Sequence, residues 1–340
     1  MANLRIFSLN CHGFNIGTLH YLMGKSSDYD ILLLQETWLS DESSFKLNDI
    51  SPDFRIIHSS SMENKIHNDY LCGRPFGGTA VLYNKRFDGA VTKVDTGNSR
   101  CTAIKLSLDG NNDLVVCSVY MPYFIGTIEN KLDYECTVGC MQGVVDRNLG
   151  CRFVFGGDIN VSKRQHNAFY EAIDSFCCFN SFQWLDPVEG GVDYSYYNDK
   201  NGHYSLLDHM LVSPSLVSRY NGLQILAEDE NISDHYGISF VCNVANVPST
   251  KRINSHSDSG RLKYEWQKAD LCIYRSCLDI ELSKITLPVA ALHCDGRCVV
   301  DHCTELNGYY RNIIHSLTNA ANRCVPVKKQ DFRNTGGQRN

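Results

Sequence analysis

Short apolar segments of strand length recur through the first 244 residues and alternate with segments of helical spacing. Apolar or alternating runs predict strands at residues 4–9, 30–34, 79–83, 102–108, 114–120, 152–157, 205–212 and 238–244. Apolar residues three and four positions apart predict helices at residues 17–27, 132–145 and 168–176. Strands that alternate with helices from the start of the chain indicate an α/β fold.

A change of composition divides the chain after the last of these strands. Residues 245–260 are rich in Asn, Ser, Pro, Lys and Arg, which is typical of a linker. Beyond it, Leu262, Trp266 and Ile273 have helical spacing, as have the apolar residues of segment 303–324. We therefore predict a first domain at residues 1–245, a linker at 246–260, a helical extension at 261–327 and a disordered tail at 328–340.

Polar side chains follow several predicted strands at the point where the apolar run ends. The strand at 152–157 ends in two glycines and continues as Asp158-Ile159-Asn160. An unpaired carboxylate inside a buried strand costs free energy, so we expect Asp158 at the open end of the strand. In an extended chain, Asp158 and Asn160 would point to the same side. The polar groups at strand ends, in strands or in adjoining turns are Asn10, Glu36, Tyr120, Asp158, Asn160, Asp208, Asp234 and His235.

These groups are hard oxygen donors with one imidazole, a set that suits Mg²⁺, or Mn²⁺ in its place, better than zinc. Asn10 and Glu36 would hold one ion, with waters completing its shell. Asp208 would accept a hydrogen bond from one nitrogen of His235 and set its tautomer. Asp158 would deprotonate a water or protonate a leaving oxygen. The residues therefore predict metal-assisted hydrolysis of a phosphate ester.

Neither a membrane span nor a signal peptide is predicted from the sequence. The 340 residues contain no apolar run long enough for a membrane span. The first residues enter a strand pattern at once, without the basic and apolar segments of a signal peptide. We therefore expect an intracellular protein whose 16 cysteines are reduced thiols.

Charge is unevenly divided along the chain. Residues 1–244 carry 18 Lys and Arg against 29 Asp and Glu, a net charge of −11, whereas residues 245–340 carry 14 against 9, a net charge of +5. The first segment therefore lacks the global positive charge of a nucleic-acid-binding protein. Clustered acids are, however, also what a divalent-metal site needs.

Seven short motifs within residues 3–244 resemble, in order, those of the endonuclease/exonuclease/phosphatase superfamily. They are Leu9-Asn10-Cys11-His12-Gly13, Gln35-Glu36-Thr37-Trp38, Gly77-Gly78-Thr79-Ala80, Val119-Tyr120-Met121-Pro122, Gly156-Gly157-Asp158-Ile159-Asn160, Leu207-Asp208-His209 and Ser233-Asp234-His235. The resemblance implies a four-layer α/β sandwich of two packed mixed β-sheets flanked by helices. The helical C-terminal extension would be added to it.

The same resemblance implies roles for individual residues. The residues at metal-site positions are Asn10, Glu36 and Asp234, the last of which would lie beside the metal or the histidine. The residues at catalytic positions are Tyr120, Asp158, Asn160, Asp208 and His235. Tyr120 would contact the phosphate, and Asp208 would orient His235. Asp158 and Asn160 would act on the nucleophile or the leaving group.

Within that superfamily, the motif Gln35-Glu36-Thr37-Trp38-Leu39 most resembles the apurinic-type endonuclease of non-LTR retrotransposons. This implies a nuclear enzyme that nicks one DNA strand and leaves a 3′-hydroxyl, with a downstream reverse transcriptase domain, absent from this chain, as partner. The chain would then be an N-terminal piece of a second open reading frame, or a decayed copy. One departure is Tyr123, at a place where such nucleases often have Asn, so the resemblance supports hydrolysis more strongly than DNA specificity.

Two other functions remain open on the sequence. One is a phosphoesterase that acts on a small or lipid phosphate, which the acidic first segment favours and the basic extension disfavours. The other is a catalytically inactive remnant or a binding module. Occupation of every expected catalytic position argues against this last alternative.

Overall fold

A computed structural model describes residues 2–67, 70–108, 113–188, 191–198, 200–217, 220–244, 262–289 and 302–329. The chain divides into two compact units, Met1–Lys251 and Arg252–Asn340. The predicted linker at 246–260 lies outside the described residues, as do residues 109–112 and residues 330–340 of the predicted tail.

Six strands form the first sheet of the first unit. In the order in which they lie side by side, they are β15 (Tyr220–Leu226), β16 (Gly237–Val244), β1 (Ala2–Asn10), β2 (Ile31–Gln35), β6 (Thr79–Asn84) and β3 (Phe54–Ser59). β1 and β2 are parallel, and the other neighbours are antiparallel. The sheet is therefore mixed, and β1 and β2 end at the same edge.

Six further strands form the second sheet. Side by side, they are β11 (Gln183–Trp184), β14 (Asp208–Val212), β10 (Arg152–Asp158), β9 (Leu114–Tyr120), β8 (Cys101–Leu106) and β7 (Val91–Val94). β9 and β10 are the parallel pair of this sheet. Two small antiparallel pairs join β4 (Ile66–His67) to β5 (Tyr70–Leu71) and β12 (Tyr196–Asn198) to β13 (His203–Ser205). The strand predicted at 205–212 is thus split, because Ser205 pairs in a hairpin and the sheet strand begins at Asp208.

The helices of this unit are α1 (Ile16–Lys25), α2 (Ile128–Arg147), α3 (Ala168–Asn180) and α4 (Pro214–Val217), with 3₁₀ segments at Glu42–Ile50, Glu63–Lys65 and Lys85–Phe87. The first helix begins where the side chain of Asn15 accepts hydrogen bonds from two backbone amides, and Asn167 begins α3 in the same way. Gly139 and Gly143 do not interrupt α2, since its opposite face buries apolar residues such as Met141 against the sheet.

Three apolar clusters define the layers. The central cluster joins Leu33 and Val81 of the first sheet to Val116 and Val154 of the second. A second cluster packs Leu22 of α1 against the outer face of the first sheet, and a third packs residues of α2 and α3 against the outer face of the second. Full burial of each large apolar side chain contributes about 1.5–3 kcal/mol. The order helix, sheet, sheet, helix confirms the predicted four-layer sandwich.

The second unit contains α5 (Leu271–Leu282), α6 (Cys303–Cys324), β17 (Leu262–Tyr264), β18 (Val327–Lys329) and a 3₁₀ turn at Trp266–Lys268. The two helices pack on each other, and Arg323 Nη1 donates to the Glu281 carboxylate over 3.1 Å. The helix predicted from Leu262 onward is wrong before Asp270, where the side chain of Asp270 caps α5. Leu262 instead pairs in a strand with Lys329, which lies inside the predicted tail.

None of the described helices carries an apolar segment of bilayer length.

Candidate active site

Three predicted residues meet through the register of the second sheet. Asp158 is the last residue of β10, where it pairs with Tyr120 of β9 on one side and Asp208 of β14 on the other. Asp158 and Asp208 are each 1% exposed. The phenol of Tyr120 donates to Glu36, and the guanidinium of Arg100 lies 5.4 Å from its ring centroid. Burial, followed by the neighbouring carboxylates, raises the pKa of Tyr120 well above its ordinary value, so the phenol stays protonated.

Asn10, at the end of β1, connects the two sheets. Its Nδ2 donates to Asp158 Oδ2 over 2.9 Å and to Glu36 Oε1 over 3.0 Å. Its backbone carbonyl accepts from Ser233 Oγ over 2.7 Å. The side chain is fully buried, so it has no water to exchange for these partners. The amide therefore fixes the positions of two carboxylates that come from different sheets.

The Glu36 carboxylate is held at both oxygens. Oε1 accepts from Asn10, and Oε2 accepts from the Trp38 indole Nε1 over 3.0 Å. Glu36 and Trp38 both have positive φ, 47° and 54°, which strains a residue other than glycine. The backbone amide of Trp38 donates to the carbonyl of Gly77 over 2.9 Å. The turn after β2 is thus fixed by the Gly77-Gly78 segment that precedes β6.

Asp158 and Asn160 meet because the chain turns, not because it stays extended. Asn160 has φ of 55°, and its backbone amide donates to Asp158 Oδ1 over 3.0 Å. Its Nδ2 donates to Asp158 Oδ2 over 3.1 Å and to the carbonyl of Met121 over 2.8 Å. The predicted proximity of the two side chains is correct, but the extended geometry predicted for it is wrong.

Asp208 and His235 form a buried pair. Nδ1 of the imidazole lies 2.7 Å from Asp208 Oδ2. Burial alone would lower the pKa of His235, but the charge and the hydrogen bond of Asp208 raise it to about 10. The imidazole is therefore protonated at neutral pH, and its second nitrogen is left to donate elsewhere.

Ser195 contacts the Asp208 side of this pair and was not predicted from the sequence. Its hydroxyl donates to Asp208 Oδ2 over 2.7 Å and accepts from the backbone amide of Asp208 over 2.9 Å. The residue is fully buried. The hydrophobic pattern around position 195 does not single out this serine. Its one distinguishing feature in the sequence is that it precedes the predicted strand that contains Asp208.

Asp234 is linked to Asn10 through His12, whose backbone amide donates to Asn10 Oδ1 over 3.0 Å. Asp234 Oδ1 lies 3.0 Å from His12 Nδ1, and the His12 ring lies 5.0 Å from the Trp38 ring. Among the described contacts, Asp234 has no hydrogen bond to Asn10 or Glu36. His12 and Trp38 both lie within the sequence motifs, but neither was predicted as a site residue.

The donor set fits a hard divalent cation. Burial raises the pKa of Asp158 to about 8, because it disfavours the ionised carboxyl. Repulsion from the Asp208 and Glu36 carboxylates adds to this rise, and His235 opposes it. Asp208 Oδ1 is buried without a hydrogen-bond partner among the described residues. Ligand atoms of Asp158, Asp208 and His235 all lie within 4.8 Å of one another. A cation would relieve this repulsion, and the clustered oxygens favour Mg²⁺ or Mn²⁺ over softer metals.

A sequence profile of the Endonuclease/Exonuclease/phosphatase family matches residues 7–235. This span contains all eight predicted site residues. No curated protein sequence matches the chain significantly.

Solved structures share the fold at low sequence identity. An AP endonuclease from Archaeoglobus fulgidus is 17% identical with a TM-score of 0.53, over 71% of this chain and 100% of that one. The endonuclease domain of TRAS1, a telomere-specific non-LTR retrotransposon, is 14% identical with a TM-score of 0.52, over 73% and 100%. The 3′ phosphatase NExo from Neisseria, bound to a product DNA hairpin, is 14% identical with a TM-score of 0.52, over 70% and 98%.

Proposed function

This chain belongs to the Endonuclease/Exonuclease/phosphatase family, and on that premise we propose that it is a metal-dependent endonuclease that nicks one strand of DNA. The observation that carries the proposal is the buried Asp158, which accepts from Asn10 and Asn160 and lies beside the Asp208–His235 pair. Phosphodiester hydrolysis needs a group that moves a proton and donors that stabilise oxyanions, and these residues supply both.

DNA is the substrate that the structural relatives favour. One relative was solved with a DNA product, and another is the endonuclease domain of a non-LTR retrotransposon. We propose the same substrate here, with cleavage that leaves a 3′-hydroxyl at the nick. As in the sequence analysis, a nuclear location and a downstream reverse transcriptase domain go with this proposal.

Each of the eight site residues has a place in the proposed reaction. A water oxygen bonds to phosphorus, the bond from phosphorus to the 3′ oxygen breaks, and the leaving oxygen takes up a proton. Asp158, with a pKa of about 8, exchanges protons near neutral pH, so it suits removal of the water proton or protonation of the leaving oxygen. The protonated His235 donates to a phosphate oxygen through its second nitrogen. The amide of Asn160 and the phenol of Tyr120 would donate to the phosphate after exchanging their present acceptors, Asp158 and Glu36, for its oxygens.

The metal residues of this proposal are Asn10, Glu36 and Asp234, as the sequence motifs imply. Asn10 links Glu36 to Asp158, so the carboxylates of Asp158 and Asp208 belong to the same acidic cluster. A Mg²⁺ or Mn²⁺ ion bound there would polarise the phosphate and stabilise the leaving alkoxide. Asp208 keeps His235 oriented and charged through the contact of 2.7 Å.

Supercoiled plasmid tests the proposal directly. Purified protein with Mg²⁺ should convert it to relaxed circles, and EDTA or the substitution Asp158→Asn should abolish this. Asp146→Asn makes the same chemical change on the exposed surface of α2 and should leave the rate unchanged. DNA ligase should reseal the nick if a 3′-hydroxyl and a 5′-phosphate are left. Intact plasmid in both Mg²⁺ and Mn²⁺ would contradict the proposal.

A second candidate is a phosphoesterase that acts on a small or lipid phosphate. The net charge of −11 over residues 1–244 favours it, because a small substrate needs no extended positive surface. It predicts release of inorganic phosphate from soluble phosphomonoesters without plasmid nicking. Failure of both assays by a folded protein would indicate an inactive remnant or a binding module.

A further inference from the structure

Large apolar side chains are exposed together on one loop beside the candidate active site. The loop at residues 121–127 joins β9 to α2, and we refer to it together with Ile128, the first residue of α2, as the rim loop. Tyr123 is 67% exposed, Ile125 is 64% exposed and Ile128 is 76% exposed. Single exposed apolar residues are ordinary, but three within six positions form a surface that contact with a partner would bury.

The rim loop is held in place from inside. Asn130 Nδ2 donates to the carbonyl of Tyr123 over 2.9 Å, and Asn130 Oδ1 accepts from the amide of Ile125 over 2.9 Å. Between them, Phe124 packs edge-on against Phe169 with ring centroids 5.1 Å apart. Tyr123 and Ile125 thus flank an anchored residue. Because the loop is already ordered, a ligand would not bear the entropic cost of ordering it.

The rim loop is attached directly to the catalytic turn. The amide of Met121 donates to the carbonyl of Asp158 over 2.9 Å, and its carbonyl accepts from Asn160 Nδ2 over 2.8 Å. Three residues of chain span at most about 10 Å, so the Tyr123 backbone lies within that distance of Tyr120. Nucleotides in a strand rise by about 3.4 Å, so the Tyr123 ring is within reach of bases close to the cleaved bond.

The net charge of the unit limits how much phosphate attraction can contribute to DNA binding at the rim loop. Residues 1–244 carry a net charge of −11, so general attraction of phosphates contributes little to DNA affinity. Stacking of a base on an aromatic ring does not depend on such attraction, and any base can take part. The acidic unit would repel an anionic lipid surface in the same way, and a lipid offers no base to stack on the ring.

We propose that the rim loop is a base-stacking subsite, in which the Tyr123 ring stacks on an unstacked nucleobase next to the cleaved phosphodiester and Ile125 covers its edge. The inference rests on the proposed endonuclease function and adds a contact that selects local DNA structure. DNA with an unpaired or flexible position near the nick would bind more tightly than fully paired DNA.

Equilibrium binding to DNA containing 2-aminopurine tests this subsite without cleavage. The full-length Asp158→Asn protein would be titrated onto single-stranded DNA, with quenching of the probe as readout. Adding Tyr123→Ala should weaken binding about 5- to 100-fold and remove the quenching, while Tyr123→Phe should keep both. Phe179→Ala, at an 80% exposed ring on α3, is the matched control and should change neither.

Three outcomes separate this inference from the proposed function. If the wild-type protein nicks plasmid but Tyr123→Ala binds and quenches like its parent, the stacking subsite is overturned and the nuclease remains. If the wild-type protein neither nicks nor binds DNA, the endonuclease proposal fails and the inference fails with it. Tyr123-dependent binding to phosphatidylcholine vesicles without binding to DNA would overturn the inference in favour of a lipid surface.

Discussion

At the scale of single residues, the site is an arrangement of carboxylates held by neutral donors. Glu36 accepts from Asn10 and Trp38, and Asp158 accepts from Asn10 and Asn160. Neutral amides and an indole hold each acid in position without neutralising it. These donors orient the carboxylate oxygens toward a cation, so removal of one of them should weaken metal binding.

Replacement of Trp38 by Phe tests this arrangement. The ring is kept, but Glu36 Oε2 loses its donor at 3.0 Å, so the carboxylate is less well oriented for an ion. Loss of such a supporting hydrogen bond typically weakens metal affinity by about 10- to 100-fold. Titration with Mn²⁺, followed by the paramagnetic signal of the free ion, should show this shift. Trp266→Phe, in the second unit, serves as control, and equal affinities for all three proteins would contradict the role of Trp38.

His209 predicts a pH dependence of stability. It is fully buried, with Nε2 2.7 Å from the carbonyl of Val161, and burial lowers its pKa to about 4. The unfolded chain takes up this proton below about pH 6.5, whereas the folded protein does so only near pH 4. Stability is therefore lost as the pH falls through this window, by about 3 kcal/mol in total.

Urea unfolding at pH 7.5 and pH 4.5 measures this loss. His209→Gln keeps a donor for the carbonyl but cannot titrate, so its free energy of unfolding should fall by about 2–3 kcal/mol less between the two pH values. Equal losses in both proteins would mean that other groups dominate the acid response.

At the scale of elements, two glycines near the end of β10 allow close contact with strands of both sheets. Gly157 has φ of 146°, and a Cβ built there would lie 2.1 Å from the carbonyl oxygen of Val119 and 3.0 Å from the Gln35 amide. A Cβ on Gly156 would lie 2.5 Å from the sulfur of Met210. The two glycines therefore allow β10 to lie against β9 and β2 while its last residue, Asp158, emerges at the edge.

Substitution of Gly157 by Ala should destabilise the protein by about 3 kcal/mol or more, because it adds both a clash with backbone and a strained φ. Gly139, inside α2 with open space around it, is the matched control. Gly139→Ala should be neutral or stabilise by up to about 1 kcal/mol, since alanine favours helix. Chemical denaturation measures both changes, and a near-native stability of Gly157→Ala would show that the close approach is not obligatory.

At the scale of the whole molecule, both sheets and every proposed site residue belong to the unit Met1–Lys251. The unit Arg252–Asn340 has its own helix pair and its own short sheet. The two units also differ in charge, since the acidic excess lies in residues 1–244 and residues 245–340 carry a net charge of +5. The candidate active-site residues and the positively charged segment are thus on different parts of the chain.

A protein truncated after Lys251 should fold cooperatively and still nick plasmid. Its kcat should match that of the full chain, while its KM for DNA should rise at low salt and converge with that of the full chain at high salt, because the removed segment attracts phosphates. Steady-state kinetics over a range of salt concentrations measures this. A folded but inactive truncated protein would instead assign the second unit a part in catalysis.

The sequence by itself determined the fold class, eight of the twelve strands in the two large sheets and the identity of most groups at the candidate site. It did not predict β3, β7, β11 or β15. Buried strands leave a regular pattern of apolar residues in the sequence, and polar residues such as Asp158 and Glu36 follow directly where that pattern ends. Tertiary structure decided how these groups meet. The contact between Asn10 and Asp158 joins residues 148 positions apart through the packing of two sheets, and the roles of Ser195, Trp38 and His209 arise in the same way. No local pattern encodes such contacts, because they depend on the register between elements that only folding brings together.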